Sequence, residues 1–108
     1  VEPEVPLEVW LADIPWGRAD YPRPVIFLGH RAHDRLVVVR VSSQLDLRAA
    51  GDFIIRDDDP DFGSTDLDET SYVRGPMLEL PPSSFIKRKG FLAGRLRERF
   101  EEWLQAGV

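Results

Sequence analysis

The 108-residue chain contains no cysteine, one methionine and two histidines. Without cysteine there is no disulfide framework, no zinc ribbon and no thiol nucleophile. No apolar run approaches the 18 or so residues of a membrane-spanning helix, so no membrane partner is expected, and no signal peptide is visible although the chain does not begin with Met. These absences lead to an expectation of a cytoplasmic protein. The chain also lacks an excess of positive charge. Fourteen Lys and Arg against 19 Asp and Glu give a net −5, which excludes a chain-wide basic field for nucleic acid and leaves only a local patch. A composition that is 43% hydrophobic and 31% charged excludes a fully disordered chain and fits a single folded domain.

The charge that is present is segregated. Arg56 to Glu69 holds seven acids and one arginine, whereas Phe85 to Phe100 holds six bases and one acid. Residues 1–6 alternate Val, Glu and Pro and read as an extended tail, because Pro3 and Pro6 disfavour helix. Residues 7–106 read as one domain. Strands are expected at Leu7–Ile14, Pro24–Leu28, Leu36–Val41, Asp52–Ile55 and Tyr72–Leu80, the last interrupted at Gly75-Pro76, with a further short segment from Phe85 to Leu92. Gly29–Asp34 reads as a polar turn and Arg56–Glu69 as a solvated loop. Leu96, Phe100, Trp103 and Leu104 recur at i, i+4, i+7 and i+8, which is one face of a helix. Gly94 is the expected N-cap of that helix and Gly107 its stop. Five to seven short strands and one terminal helix give a mainly β (α+β) fold, a small bent sheet or barrel closed by the C-terminal helix.

Arg95, Arg97 and Arg99 stand early in the helix and Glu101 and Glu102 late, the reverse of what the helix dipole prefers. Those arginines therefore face either something anionic or the acidic loop of the same chain. His30-x-x-His33 followed by Asp34 does not show four-ligand closure for a metal. Asp57-x-Asp59-x-Asp61 has calcium-loop spacing, but Phe62 stands where glycine makes the sharp turn and Asp68 replaces the bidentate Glu. No metal and no cofactor is expected.

Several segments in order carry a resemblance. Glu8-Val9-Trp10-Leu11-Ala12-Asp13-Ile14-Pro15, Arg23-Pro24-Val25-Ile26-Phe27-Leu28 and Val37-Val38-Val39-Arg40-Val41-Ser42-Ser43-Gln44 resemble the MazF/PemK family of toxins from type II toxin–antitoxin systems. Thr70-Ser71-Tyr72-Val73-Arg74, Leu80-Pro81 and Ile86-Lys87-Arg88-Lys89-Gly90-Phe91-Leu92 look like its later strands. The resemblance implies an SH3-like β-barrel, a homodimer, and metal-independent endoribonuclease cleavage of single-stranded mRNA. It also implies a cognate antitoxin protein as partner.

In such a reaction the substrate 2′-hydroxyl attacks its own phosphate and leaves 2′,3′-cyclic phosphate and 5′-hydroxyl ends, which calls for cationic donors, a base and an acid. Arg23 matches the family's catalytic arginine, and a planar, permanently charged guanidinium suits a phosphate. Ser42 stands where the family usually has Thr, with Ser43 beside it as a further RNA contact. Arg74 matches an arginine used by one branch. Asp20 is the one acid in the loop from Pro15 to Pro22 and is named as the base. Trp16 and Tyr21 are placed either to stack on bases or to pack as lid and rim. The chain departs from the family pattern at Leu7, where glycine usually precedes the Glu, and at Pro76, where one branch has Asp. The same residues leave two other readings open: a catalytically degenerate barrel serving as a protein-interaction module, and a gyrase-directed toxin on the same fold.

Overall fold

A computed structural model describes residues 1–14, 21–32 and 34–107. Among the described residues six strands form one antiparallel sheet: β1 (Glu8–Ala12), β2 (Arg23–Ala32), β3 (Arg35–Ser42), β4 (Phe53–Ile55), β5 (Ser71–Leu80) and β6 (Phe85–Phe91). The helix α1 (Gly94–Gln105) follows. The strand order is β4-β5-β3-β2-β1-β6. The fold is thus mainly β with a C-terminal helix, as composition and spacing led one to expect. β4 and β6 lie at opposite edges and do not pair with each other, so backbone hydrogen bonding does not close the sheet into a barrel.

The near-continuous apolar runs of β1 to β3 follow from burial on both faces. Val9, Ile26, Val39, Val41, Phe53 and Val73 point to one side, where Leu96 and Phe100 of α1 cover them. Trp10, Ala12, Val25, Phe27, Leu36 and Val38 point to the other, where Leu78, Leu80 and Phe85 join them. Each fully buried aliphatic or aromatic side chain contributes about 1.5–3 kcal/mol. A Phe53–Phe100–Trp103 cluster with centroids 5.2–5.8 Å apart locks helix to sheet. The Trp103 indole N–H also donates to the Gly51 carbonyl at 2.7 Å.

Register shifts interrupt the ladders at several points and bend the strands there, two of them in the strands that carry the core. Phe27 pairs with Val38 and Gly29 with Val37, leaving Leu28 as an extra residue. Farther along, Val38 pairs with Leu78 but Arg40 pairs with Arg74, so Gly75, Pro76 and Met77 oppose Val39 alone. Pro76 has no N–H to contribute to a ladder, and a bulge tolerates that. The interruption expected at Gly75-Pro76 is therefore a bulge inside one strand.

Other boundaries differ from expectation. β1 is shorter than Leu7–Ile14, because Leu7 is in the left-handed region at φ 72°. Its side chain is nonetheless buried. Its N–H donates to Phe27 O at 2.7 Å and its carbonyl accepts from Leu92 N–H at 3.0 Å. Most of the expected Gly29–Asp34 turn is strand: β2 runs to Ala32 and β3 starts at Arg35. That polar end projects beyond the core and is held by cross-strand bonds and an Arg31–Glu79 pair at 2.9 Å, so it needs no apolar pattern. The extended tail is not wholly solvated, since Pro3 is buried.

The acidic segment is more than a solvated loop. It contains a 3₁₀ turn, Phe62–Thr65, with Thr65 fully buried. The Thr65 hydroxyl donates to Phe62 O at 2.7 Å, and Phe62 and Leu67 pack on the helix-side core. Asp59 pairs with Arg99. The helix begins at Gly94, one residue earlier than expected, with Ala93 at the N-cap position and no side-chain cap. Gly94 has φ 57°, and a Cβ there would lie 2.7 Å from both Asp61 carboxylate oxygens. Asp61 thus brings negative charge to the helix N-terminus, where the dipole favours it. Among the described residues no helix is long and apolar enough to cross a membrane.

Candidate functional site

The register decides which side chains share a face. Trp10 pairs with Val25 and Ala12 with Arg23; Val25 pairs with Arg40; Arg40 pairs with Arg74 and Ser42 with Tyr72. Directly opposed residues point to the same side of a sheet. Arg23, Arg40, Ser42, Tyr72 and Arg74 therefore belong to the face that, a few residues along each strand, carries Phe27, Val38 and Leu36. In β3 the period-two series on this face is Leu36, Val38, Arg40, Ser42: two apolar residues, a cation, then a hydroxyl. The apolar floor thus ends in a polar mouth.

That mouth is a concavity of about 300 Å³ lined by Ile14, Arg23, Arg40, Val41, Ser42, Tyr72 and Arg74. It brings together three of the residues singled out from the sequence: Arg23, Ser42 and Arg74. The Ser42 hydroxyl oxygen accepts the Gln44 backbone N–H at 3.2 Å, which leaves its O–H to donate elsewhere. Ser43 is exposed and lies outside the lining, since its neighbour on the strand takes the inward direction. Tyr21 is 55% exposed and also lies outside it. Trp16, Asp20 and His33 lie outside the described residues.

Arg74 is held from three sides. Its Nε donates to Asp52 Oδ1 at 2.8 Å and its Nη2 to Asp52 Oδ2 at 2.7 Å. The same Nη2 donates to Leu47 O at 2.7 Å. The guanidinium carbon sits 5.1 Å from the Tyr72 ring centroid, a cation–π contact. The Asp52 side chain is only 5% exposed. The hydrogen bonds from Arg74, reinforced by the Ala49 N–H, hold its carboxyl below the ordinary 3.8 despite desolvation. The same bond raises the Arg74 guanidinium further above its ordinary value. Among the described residues, Arg23 and Arg40 form no ion pair. Among the described residues, three guanidinium groups against one carboxylate make the concavity locally cationic within an acidic chain, and its hydroxyls add neutral donors. Such a set suits an anion with several oxygens, such as a phosphate diester.

The lining also contains residues that sequence reasoning did not select. Arg40 carried a usable signal, as the only charge in the apolar run Leu36–Val41, two residues before Ser42. Tyr72 and Ile14 carried none, because an aromatic or aliphatic residue on a strand reads as core. Of the histidine motif the described residues include His30, which is exposed and meets Phe27 edge-on at 5.3 Å. Among the described residues no three His, Cys, Asp or Glu side chains converge. No protein-family model matches the chain, and no curated protein sequence matches it.

Proposed function

We propose that this protein is a toxin-type endoribonuclease that cleaves single-stranded RNA without a metal ion. In this reading the bent sheet is a variant of the SH3-like barrel, and the protein acts in the cytoplasm as a homodimer restrained by an antitoxin. The observation that carries the reading is the convergence of Arg23, Ser42 and Arg74 on one concavity, together with the sequence resemblance that selected those residues independently.

The chemistry follows from the donors. A phosphodiester seated over Arg23 places its non-bridging oxygens against a bidentate guanidinium, and the Ser42 O–H adds a third donor. As the 2′-oxygen attacks, negative charge grows on those oxygens and the donors bind more strongly, which lowers the barrier. The 2′-oxygen–phosphorus bond forms and the 5′-oxygen–phosphorus bond breaks. The 2′ proton passes to a base, for which Asp20 is the candidate the sequence offers, and the departing 5′-oxygen takes up a proton from solvent.

A defined RNA incubated with the protein in EDTA tests this. The expected fragments end in 2′,3′-cyclic phosphate and begin with 5′-hydroxyl. Fragments bearing 5′-phosphate, or cleavage that requires a divalent ion, would refute it. One observation favours a second reading, binding without cleavage: the described lining contains no carboxylate or imidazole to act as base. RNA that is bound tightly and recovered intact would move the assignment to that reading.

A further inference from the structure

We infer that the concavity binds two neighbouring phosphate groups at once, with Arg40 and Arg74 forming a second anion subsite beside the Arg23–Ser42 position; the identity of the ligand as RNA rests on the function proposed above. The argument begins with an electrostatic cost. Arg40 and Arg74 are directly opposed on adjacent antiparallel strands. Like charges in that arrangement repel, with Cβ atoms about 4.5–5.5 Å apart. Asp52 and Leu47 offset this only on one side, since they engage the Nε and Nη2 of Arg74. The Asp52 carboxylate is nearly inaccessible behind that pair, so it presents little negative charge to a ligand. Among the described residues Arg40 has no carboxylate of its own. A guanidinium pair facing a shared concavity with one side unsatisfied is a site for an anion.

The strand lattice supplies the spacing. Arg74, Arg40 and Val25 form one row across β5, β3 and β2. Tyr72 and Ser42 form the next row, and Arg23, two residues before Val25 on β2, falls in it. Two residues along a strand span about 6–7 Å, comparable with the separation of successive phosphates on a ribose–phosphate backbone. The Arg23–Ser42 row and the Arg40–Arg74 row are therefore placed for consecutive phosphodiesters. Tyr72 couples the two rows, since it opposes Ser42 while its ring supports the Arg74 guanidinium. Arg40 then has a task separate from cleavage: it makes affinity depend on a second phosphate.

The probes are 2′-O-methyl oligoribonucleotides, which cannot be cleaved because the attacking oxygen is blocked. A dinucleotide carries one phosphodiester and a trinucleotide two. For the unmodified protein, the trinucleotide is expected to bind about tenfold tighter at low salt. Its log-affinity against log-salt slope should be steeper by about 0.7, the value for one further phosphate on a single strand. Arg40→Gln should erase both differences, as read from the trinucleotide-to-dinucleotide ratio. A ratio unchanged by the substitution overturns the inference. Should neither oligonucleotide bind, the ribonuclease reading fails by itself, and inorganic pyrophosphate then decides the subsite. A rise in melting temperature seen in the unmodified protein and absent in Arg40→Gln would retain the paired anion site. No rise in the unmodified protein would remove it.

Discussion

Two groups of arginines in this molecule meet opposite fates. Arg95, Arg97 and Arg99 stand on α1 against the dipole, and each has a carboxylate from the same chain: Glu98, Glu101 and Asp59. Arg23, Arg40 and Arg74 stand on three different strands, and among the described residues only Arg74 has such a partner, Asp52. The first group is conspicuous in the sequence because it is clustered, yet its charge is answered internally. The second is scattered over more than fifty positions and is gathered only by the sheet. Local density of charge therefore does not show which cations remain without an internal partner; what matters is whether the fold supplies the counter-charge.

The sharpest way to break this comparison is to substitute one arginine from each group. Arg23→Ala is expected to lower RNA cleavage roughly 100- to 1,000-fold, the scale of losing one donor to a developing oxyanion, while the melting temperature stays nearly constant. Arg97→Ala removes an exposed i,i+4 pair with Glu101, worth about 0.3–0.5 kcal/mol, and cleavage should stay within twofold. Equal losses in the two variants would erase the distinction.

The next effect concerns the helix side. Gly94→Ala places a Cβ in a left-handed residue against the Asp61 carboxylate. It should destabilise by about 1–2 kcal/mol, read by denaturant unfolding, and an unchanged midpoint would show that Asp61 does not sit there. Leu7 gives a similar test at the start of β1. Leu7→Ala keeps the left-handed strain and loses a buried side chain, whereas Leu7→Gly loses the side chain but relieves the strain. The glycine variant should be the more stable of the two by about 1 kcal/mol.

The smallest effect lies on the arginine-mouth side and only in acid. The Asp52 carboxyl is lowered from its ordinary 3.8 in the folded protein. Its contribution to stability is therefore present above that value and lost as the pH falls through the lower folded value. The difference in melting temperature between the unmodified protein and Asp52→Asn should be constant near neutrality and shrink below about pH 4. A difference that persists undiminished to pH 2 would mean the Arg74 pair does not depend on ionised Asp52.

Much of this was legible before folding. Alternation and β-branching marked the strands, and the Leu96–Phe100–Trp103–Leu104 spacing marked the helix. Arg23, Ser42 and Arg74 were selected by the resemblance of the segments that hold them, and the structure puts them on one concavity. The length of β2 was not legible, because a strand that projects past the core needs backbone partners but no apolar residues. The ordered acidic segment was hidden for a related reason. Its anchor is Thr65, a polar residue buried by satisfying its hydroxyl locally, beside a Gly90 whose missing Cβ lets Ser64 and Thr65 approach.

The order of amino acids by itself determined which segments become strands and where the helix lies, since those properties depend on neighbours within a few positions. Only the tertiary structure decided that Arg40 opposes Arg74, that Asp52 serves Arg74 and that Asp59 serves Arg99. Cross-strand register and the packing of helix on sheet join residues 34 positions apart in the first pair and 22 and 40 in the other two, and no local pattern encodes which distant charge will be the nearest one.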